Sequence, residues 1–137
     1  MEDYEILVEA TIKSIFLDAE NKSLTLDLDC SWGKKDRKRL IVSGVDDFSL
    51  TNMRIQNIFD HIKIYDSKKL LTEKVNISKE LCYLLFETQV NITDARQTIL
   101  NEKLNLIQND SHKLMVIEAL YGADILILAK NYELVNI

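Results

Sequence analysis

The chain has 137 residues, 47% of them hydrophobic, and a formal net charge of −5. This length is enough for one substantial core, so we expect a single domain over residues 1–137. The negative charge opposes a general nucleic-acid or anionic-membrane surface, because both would repel the protein at long range. The sequence contains no apolar run of about 18 residues that could span a membrane.

The cellular compartment is indicated by the first residues and by the cysteines. Residues 1–5 carry three acidic side chains where a secretory signal would carry Lys or Arg. Cys30 and Cys82 lie far apart, each in an apolar run, which is typical of small buried thiols rather than of a disulfide. We therefore expect a cytoplasmic protein.

The clearest pattern is a predicted hairpin near the start of the chain. Residues 24–32 alternate strictly between apolar and polar side chains, which predicts a strand with one buried face and with Asp27 and Asp29 on the other. Residues 6–17 also alternate but change phase after Ile12, which predicts a strand with a bulge. The polar residues between these runs predict an antiparallel hairpin with a loop of four or five residues.

Further strands follow from shorter patterns. A short third strand is predicted at residues 40–42, ending near Gly44, and a fourth at residues 61–65. A closing hairpin is predicted from residues 113–120 and 125–135, with a turn between them at the Tyr-Gly-Ala-Asp sequence of residues 121–124.

One helix is predicted, over residues 93–108, because its apolar residues approximate helical spacing and Thr93 can cap its first turn. Periodicity cannot assign residues 81–86, but their aromatic and small side chains favour a strand. Together these elements predict an α+β fold that is mainly antiparallel β. We expect a sandwich or an open barrel with one amphipathic helix.

The sequence carries no recognisable catalytic or cofactor motif. His61 and His112 are both predicted to lie on the surface, and their spacing from the cysteines matches no zinc site. Three scattered glycines cannot form a phosphate-binding loop. We therefore expect no enzyme, no metal and no cofactor. A small enzyme or ligand-binding barrel would need a pocket that joins a histidine to carboxylates.

Acidic residues are concentrated in the predicted first hairpin. Residues 1–32 contain eight acidic and two basic side chains, a local balance of −6. If the two strands pair, several carboxylates share one side of the sheet, and a basic ligand would relieve their repulsion. The predicted partner-binding residues are Glu9, Glu20, Asp27, Asp29 and Trp32, with Tyr4, Phe16 and Tyr121 as further candidate aromatic anchors.

A basic cluster follows Trp32 and supports an alternative function. Residues 34–39 carry five positive charges and one negative charge. Such a loop beside a tryptophan is compatible with a nucleic-acid-binding module. On an acidic protein, a solvated hairpin tip is the simpler interpretation, so we do not expect nucleic acid as the partner.

Three segments of this chain resemble the immunity proteins of bacterial toxin systems, including those of contact-dependent growth inhibition. These segments are the acidic hairpin at residues 6–32, the strand at 40–45 with the following Asp46-Asp47-Phe48, and the closing hairpin at 122–129. The resemblance implies a cytoplasmic protein that binds a cognate toxin, commonly a nuclease with a basic cleft, and blocks its active site. An acidic surface complements such a cleft and needs no chemistry of its own.

Overall fold

A computed structural model describes residues 4–30, 36–87 and 93–137. Within these ranges the strands are β1 (Thr11–Asp18), β2 (Ser23–Asp29), β3 (Arg37–Thr51), β4 (Ile58–Tyr65), β5 (Lys113–Tyr121) and β6 (Asp124–Asn136). The α-helices are α1 (Ser67–Phe86) and α2 (Asp94–Gln108), and a 3-10 helix, Tyr4–Leu7, precedes β1. All described strand pairs are antiparallel, which confirms the predicted α+β fold with a mainly antiparallel sheet.

The sheet is a closed barrel in the order β1-β2-β3-β6-β5-β4, whereas the sequence predicted a sandwich or an open barrel. Closure depends on a short contact between β1 and β4, where Thr11 pairs with Ile58. Beside this pair, the Glu9 N–H donates to Phe59 O at 2.7 Å and the Phe59 N–H donates to Ala10 O at 2.9 Å. This pairing joins residues about fifty positions apart, so no local pattern could predict it.

The first hairpin confirms two details of the prediction. The loop between β1 and β2 has four residues, 19–22, and the register shifts between Ile12 and Ser14 as expected for a bulge. The predicted start of the first strand is wrong, because the chain forms the 3-10 helix and β1 begins only at Thr11. The Ala10 N–H donates to Leu7 O at 2.9 Å, which closes a turn there instead of extending the strand.

The third strand is much longer than predicted. It extends over 15 residues and passes Gly44, where the sequence placed its end. Gly44 has a φ of +63°, and the pairing with β6 shifts register between Val45 and Asp47. The glycine therefore marks a bulge inside a continuous strand rather than a turn.

Two helices form where the sequence predicted one. Residues 81–86 are the end of α1, so their assignment as a strand is wrong. The helix begins after Asp66, whose side chain accepts a hydrogen bond from Lys69 N at 3.0 Å. Its buried residues follow helical spacing. They are Leu70, Ile77, Leu81, Cys82 and Leu84.

The one helix that the sequence predicted, over residues 93–108, is confirmed together with its cap. Helix α2 begins after Thr93, whose hydroxyl oxygen accepts a hydrogen bond from Arg96 N at 3.3 Å. The closing hairpin, β5 and β6, and the fourth strand, β4, are confirmed as well.

Two hydrophobic clusters share strands β5 and β6. Met115 and Ile117 point into the barrel interior, whereas Leu114 and Val116 pack in the layer that contains the helices. Because both faces of these strands are covered, their sequences are continuous apolar runs without alternation. The helical layer leaves part of the outer barrel surface uncovered beside α1.

Candidate functional site

The acidic strand β2 is paired with the basic strand β3. Asp27 lies opposite Arg39, and its two carboxylate oxygens accept hydrogen bonds from the guanidinium at 2.7 and 3.0 Å. This contact holds the pKa of Asp27 below its usual value. Asp29 lies opposite Arg37 in the same register. The acidic face and the basic cluster of the sequence are therefore neighbouring strands, and the charge of Asp27 is already balanced within the fold.

The other two predicted acidic contacts lie at opposite ends of the first hairpin. Glu9 lies two residues before the start of β1, and Glu20 lies in the loop that follows this strand; both are exposed. An eight-residue strand separates them by about 25 Å. The hairpin acids thus do not form one compact patch.

The predicted anchors and the basic cluster are only partly within the described ranges. Trp32 lies outside them, as do Lys34 and Lys35. Lys38 contacts the side-chain oxygen of Asn136, and its ammonium lies 3.7 Å from an Asp36 carboxylate oxygen.

The remaining aromatic candidates lie in different environments. Phe16 is exposed on the outer face of β1, and Tyr4 is half-buried with its hydroxyl donating to Tyr132 O at 3.4 Å. Tyr121 is exposed, and the Arg54 guanidinium carbon lies 5.2 Å from its ring centroid. Of these three, only Tyr121 adjoins the groove described below.

The histidines do not form a catalytic pocket with carboxylates. His61 is exposed as predicted, and its Nδ1 lies 2.7 Å from an Asp60 carboxylate oxygen. The prediction for His112 is wrong, because this side chain is buried and burial lowers its pKa. The chain turns at Asp110, which has a φ of +58°, and the His112 N–H then donates to Leu106 O at 3.1 Å. The turn carries His112 back beneath α2.

A groove of about 650 Å³ lies between α1 and the outer face of the barrel. Helix α1 forms one wall, and the floor comes from β3, β5 and β6. We call it the acidic groove, and its lining residues are Ser49, Thr51, Asn52, Glu80, Tyr83, Glu87, Val116, Ile117, Glu118, Ala119, Asp124, Ile125 and Leu126.

The acidic groove combines an apolar floor with carboxylates. Val116 and Leu126 provide outward-facing apolar surface on adjacent strands, where they lie opposite each other in register. Four lining residues are acidic and none of the described lining residues is basic. The four are Glu80, Glu87, Glu118 and Asp124. This composition suits a ligand that has both cationic and apolar parts.

Burial and mutual repulsion affect the carboxylate on the helix wall. The pKa of Glu80 is raised, first by burial and then by the nearby charge of Glu118, while Lys63 acts in the opposite direction. Asp124 accepts a hydrogen bond from Ala119 N at 2.8 Å, which fixes this carboxylate at the turn between β5 and β6. The acidic groove therefore holds negative charge that a bound cation would stabilise.

This site was missed by sequence reasoning because its acids come from α1, β5 and β6. Glu80 and Glu118 are 38 positions apart, and only the packing of α1 on the barrel brings them together. The strand order places β5 and β6 across the barrel from β1 and β2, so the acidic groove and the first hairpin face opposite sides. The one available signal was Glu118, an isolated acid in an otherwise apolar run.

The described residues contain no group of three or more His, Cys, Asp or Glu side chains arranged to hold a metal ion. In the described ranges, no helix combines the length and the apolar character that crossing a membrane requires. Comparisons with protein-family models, with curated proteins and with solved structures give no match for this chain.

Proposed function

We propose that this protein is a non-enzymatic inhibitor of the immunity-protein type, which binds a basic bacterial toxin and blocks its active site. The acidic groove is the contact surface in this proposal. The observation that carries it is the set of four carboxylates around an apolar floor, with no basic side chain among the described lining residues. A nuclease cleft that binds phosphates presents the complementary charge.

Electrostatics supports the groove as the contact. The raised pKa of Glu80 reflects a carboxylate that is partly removed from water and lies near Glu118. A lysine or arginine from the toxin would compensate the Glu80 carboxylate for its lost contact with water and would relieve the repulsion between Glu80 and Glu118. The same charge would steer the toxin toward the groove and raise the association rate.

The acidic hairpin is a weaker contact than the sequence suggested. Arg39 already satisfies both carboxylate oxygens of Asp27. A toxin that used Asp27 would have to replace this contact, and the exchange of one guanidinium for another gives little net free energy. Glu20 lies at the far end of β1 and would add long-range attraction only.

The proposal assigns the protein to the cytoplasm, where an immunity protein meets its toxin. Cys30 is half-buried, Cys82 is buried, and both are free thiols. Burial raises the pKa of Cys30 to about 11 and also raises the pKa of Cys82, so both remain protonated and unreactive at neutral pH. Stable free thiols suit a reducing compartment.

A growth-rescue experiment tests the proposal. Cells express the protein encoded by the neighbouring open reading frame, which the proposal expects to be the toxin, together with wild-type protein or with the groove variant Glu80→Gln/Glu87→Gln/Glu118→Gln. The control variant Glu102→Gln/Asp110→Asn/Glu133→Gln removes the same number of charges from exposed positions outside the groove and the first hairpin. We expect wild type and control to protect the cells and the groove variant to fail. Equal protection by all three proteins, or by none, would contradict the proposal.

A further inference from the structure

Four exposed apolar side chains lie at the end of the barrel beside the acidic groove. They come from the loop between β3 and β4 and from the end of β5, and Ile55 among them is fully exposed. We call this surface the apolar tip, and its residues are Met53, Ile55, Leu120 and Tyr121. Isolated exposed apolar residues are common, but a cluster from two touching segments indicates an interaction surface.

A buried asparagine holds the two segments of the apolar tip together. The Asn57 side-chain oxygen accepts hydrogen bonds from Arg54 N at 3.0 Å and from Ala123 N at 2.9 Å. Its amide nitrogen donates to Arg54 O at 2.7 Å. Gly122 has a φ of +92°, and its backbone packs so closely on Asn57 that no side chain would fit there. The loop and the turn are thus fixed to each other.

Strand geometry exposes Leu120. Tyr121 pairs with Ile58 and Ala119 pairs with Phe59, so Leu120 is the extra residue of a bulge and has no partner opposite it. Its side chain is exposed although it belongs to an apolar strand. Because the surrounding backbone is already ordered, an apolar contact here would cost little conformational entropy on binding.

The apolar tip continues directly from the acidic groove. Asn52 lines the groove and leads into Met53, and Ala119 lines it and leads into Leu120. We infer that the apolar tip is the anchoring half of the toxin-binding surface, so that the bound toxin segment carries a bulky apolar residue next to its cationic side chains. This inference rests on the proposed function and specifies the chemistry of the partner.

A pair of exposed apolar residues on α1 is unsuited to the same partner. Leu71 and Val75 are exposed on α1, on either side of Glu73, where the backbone leaves helical geometry and the helix kinks. Lys68, Lys74 and Lys79 on the same helix are also exposed. These lysines would repel a cationic segment. The apolar tip adjoins a cation, Arg54, whose guanidinium lies over the Tyr121 ring, but the four carboxylates of the acidic groove outnumber it and would attract such a segment. Leu71 and Val75 therefore provide a matched control.

Labelled twelve-residue peptides with four lysines test the inference. One peptide carries a single tryptophan at its N-terminal end, and a second carries it at its C-terminal end. The third peptide has serine in place of the tryptophan. We expect wild-type protein to bind one tryptophan peptide at least about tenfold more tightly than the serine peptide. The variant Ile55→Ser/Leu120→Ser should lose this preference, whereas Leu71→Ser/Val75→Ser should keep it. Fluorescence anisotropy measures each dissociation constant.

The peptide experiment separates the inference from the proposed function. If all three peptides bind equally and Glu80→Gln/Glu87→Gln/Glu118→Gln weakens them all, the inference is overturned and the groove remains the contact. A tryptophan preference that survives in Ile55→Ser/Leu120→Ser also overturns the inference. Binding that is indifferent to the groove substitutions overturns the proposed function and the inference with it.

Discussion

Asp27 of β2 and Arg39 of β3 lie opposite each other, and the guanidinium donates to both carboxylate oxygens at 2.7 and 3.0 Å. This pair joins the acidic strand and the basic cluster that the sequence presents as separate features. The negative charge of Asp27, which the sequence presents as available to a partner, is therefore balanced by Arg39 within the sheet. The carboxylates of the acidic groove, by contrast, lie among lining residues of which none described is basic.

The Asp27–Arg39 contact predicts a pH-dependent contribution to stability. Because the pKa of Asp27 is lowered in the folded state, the contact stabilises the protein above the usual aspartate range. That contribution is lost as the pH falls through the folded-state pKa. We expect Asp27→Asn to be less stable than wild type at pH 7 and the difference to disappear in strong acid.

Urea unfolding between neutral and strongly acidic pH measures this difference. Glu133→Gln, a change at an exposed position on β6, is the control and should differ little from wild type at any pH. A deficit of Asp27→Asn that stayed constant over the whole range would contradict the expected linkage.

The ionised carboxylate of Glu80 should lower stability at neutral pH, whereas that of Asp27 raises it. Its pKa is raised by burial, so the ionised carboxylate destabilises the folded protein at neutral pH, and this cost is relieved as the pH falls through the raised value. We expect Glu80→Gln to unfold at a higher temperature than wild type at pH 7, with the gain fading in acid. Glu102→Gln on the exposed face of α2 is the control. A lower unfolding temperature for Glu80→Gln than for wild type would contradict the claim that the ionised Glu80 carboxylate destabilises the folded protein.

The helical assignment of residues 81–86 predicts a contrast between two identical substitutions on α1. Leu81 is fully buried, whereas Leu71 is exposed. We expect Leu81→Ala to lower the free energy of unfolding by about 2–5 kcal/mol, because it leaves a cavity beneath the helix. Leu71→Ala should change it by less than about 0.5 kcal/mol. Equal effects in chemical denaturation would show that the helix packs through a different face.

The contacts of Asn57 predict a large effect for its loss. Asn57→Ala leaves the buried N–H of Ala123 and the N–H of Arg54 without their acceptor. We expect a loss of about 2–4 kcal/mol in the free energy of unfolding. The neighbouring exposed Gln56 supplies the control, since Gln56→Ala should have little effect. Near-equal stability of the two variants would mean that the loop and the turn are held by other contacts.

Local chemistry made part of the fold predictable. The phase change after Ile12 marked a real bulge, and Thr93 marked the start of α2. Both signals act over a few residues, so a single sequence contains them. Gly44 shows the limit of such signals, because a glycine with positive φ is compatible with either a turn or a bulge. Its role depends on the pairing of β3 with β6.

The candidate site was not predictable in the same way. Closure of the barrel depends on Thr11 meeting Ile58, and the acidic groove depends on α1 packing beside β5. Residues 81–86 were assigned to a strand because a short apolar run does not reveal its period; the buried spacing emerges only when Leu70 and Ile77 are included. A count of charges along the chain likewise cannot show that Asp27 of β2 contacts Arg39 of the neighbouring strand β3.

The most direct measurement is a calorimetric titration of the protein encoded next to this chain, which the proposal expects to be its toxin, with three proteins. These are wild type, the groove variant Glu80→Gln/Glu87→Gln/Glu118→Gln and the control Glu102→Gln/Asp110→Asn/Glu133→Gln. We expect wild type and control to bind with similar affinity and the groove variant to bind at least about a hundredfold more weakly, with less dependence on salt. Equal affinities for the groove variant and the control would contradict binding through the acidic groove.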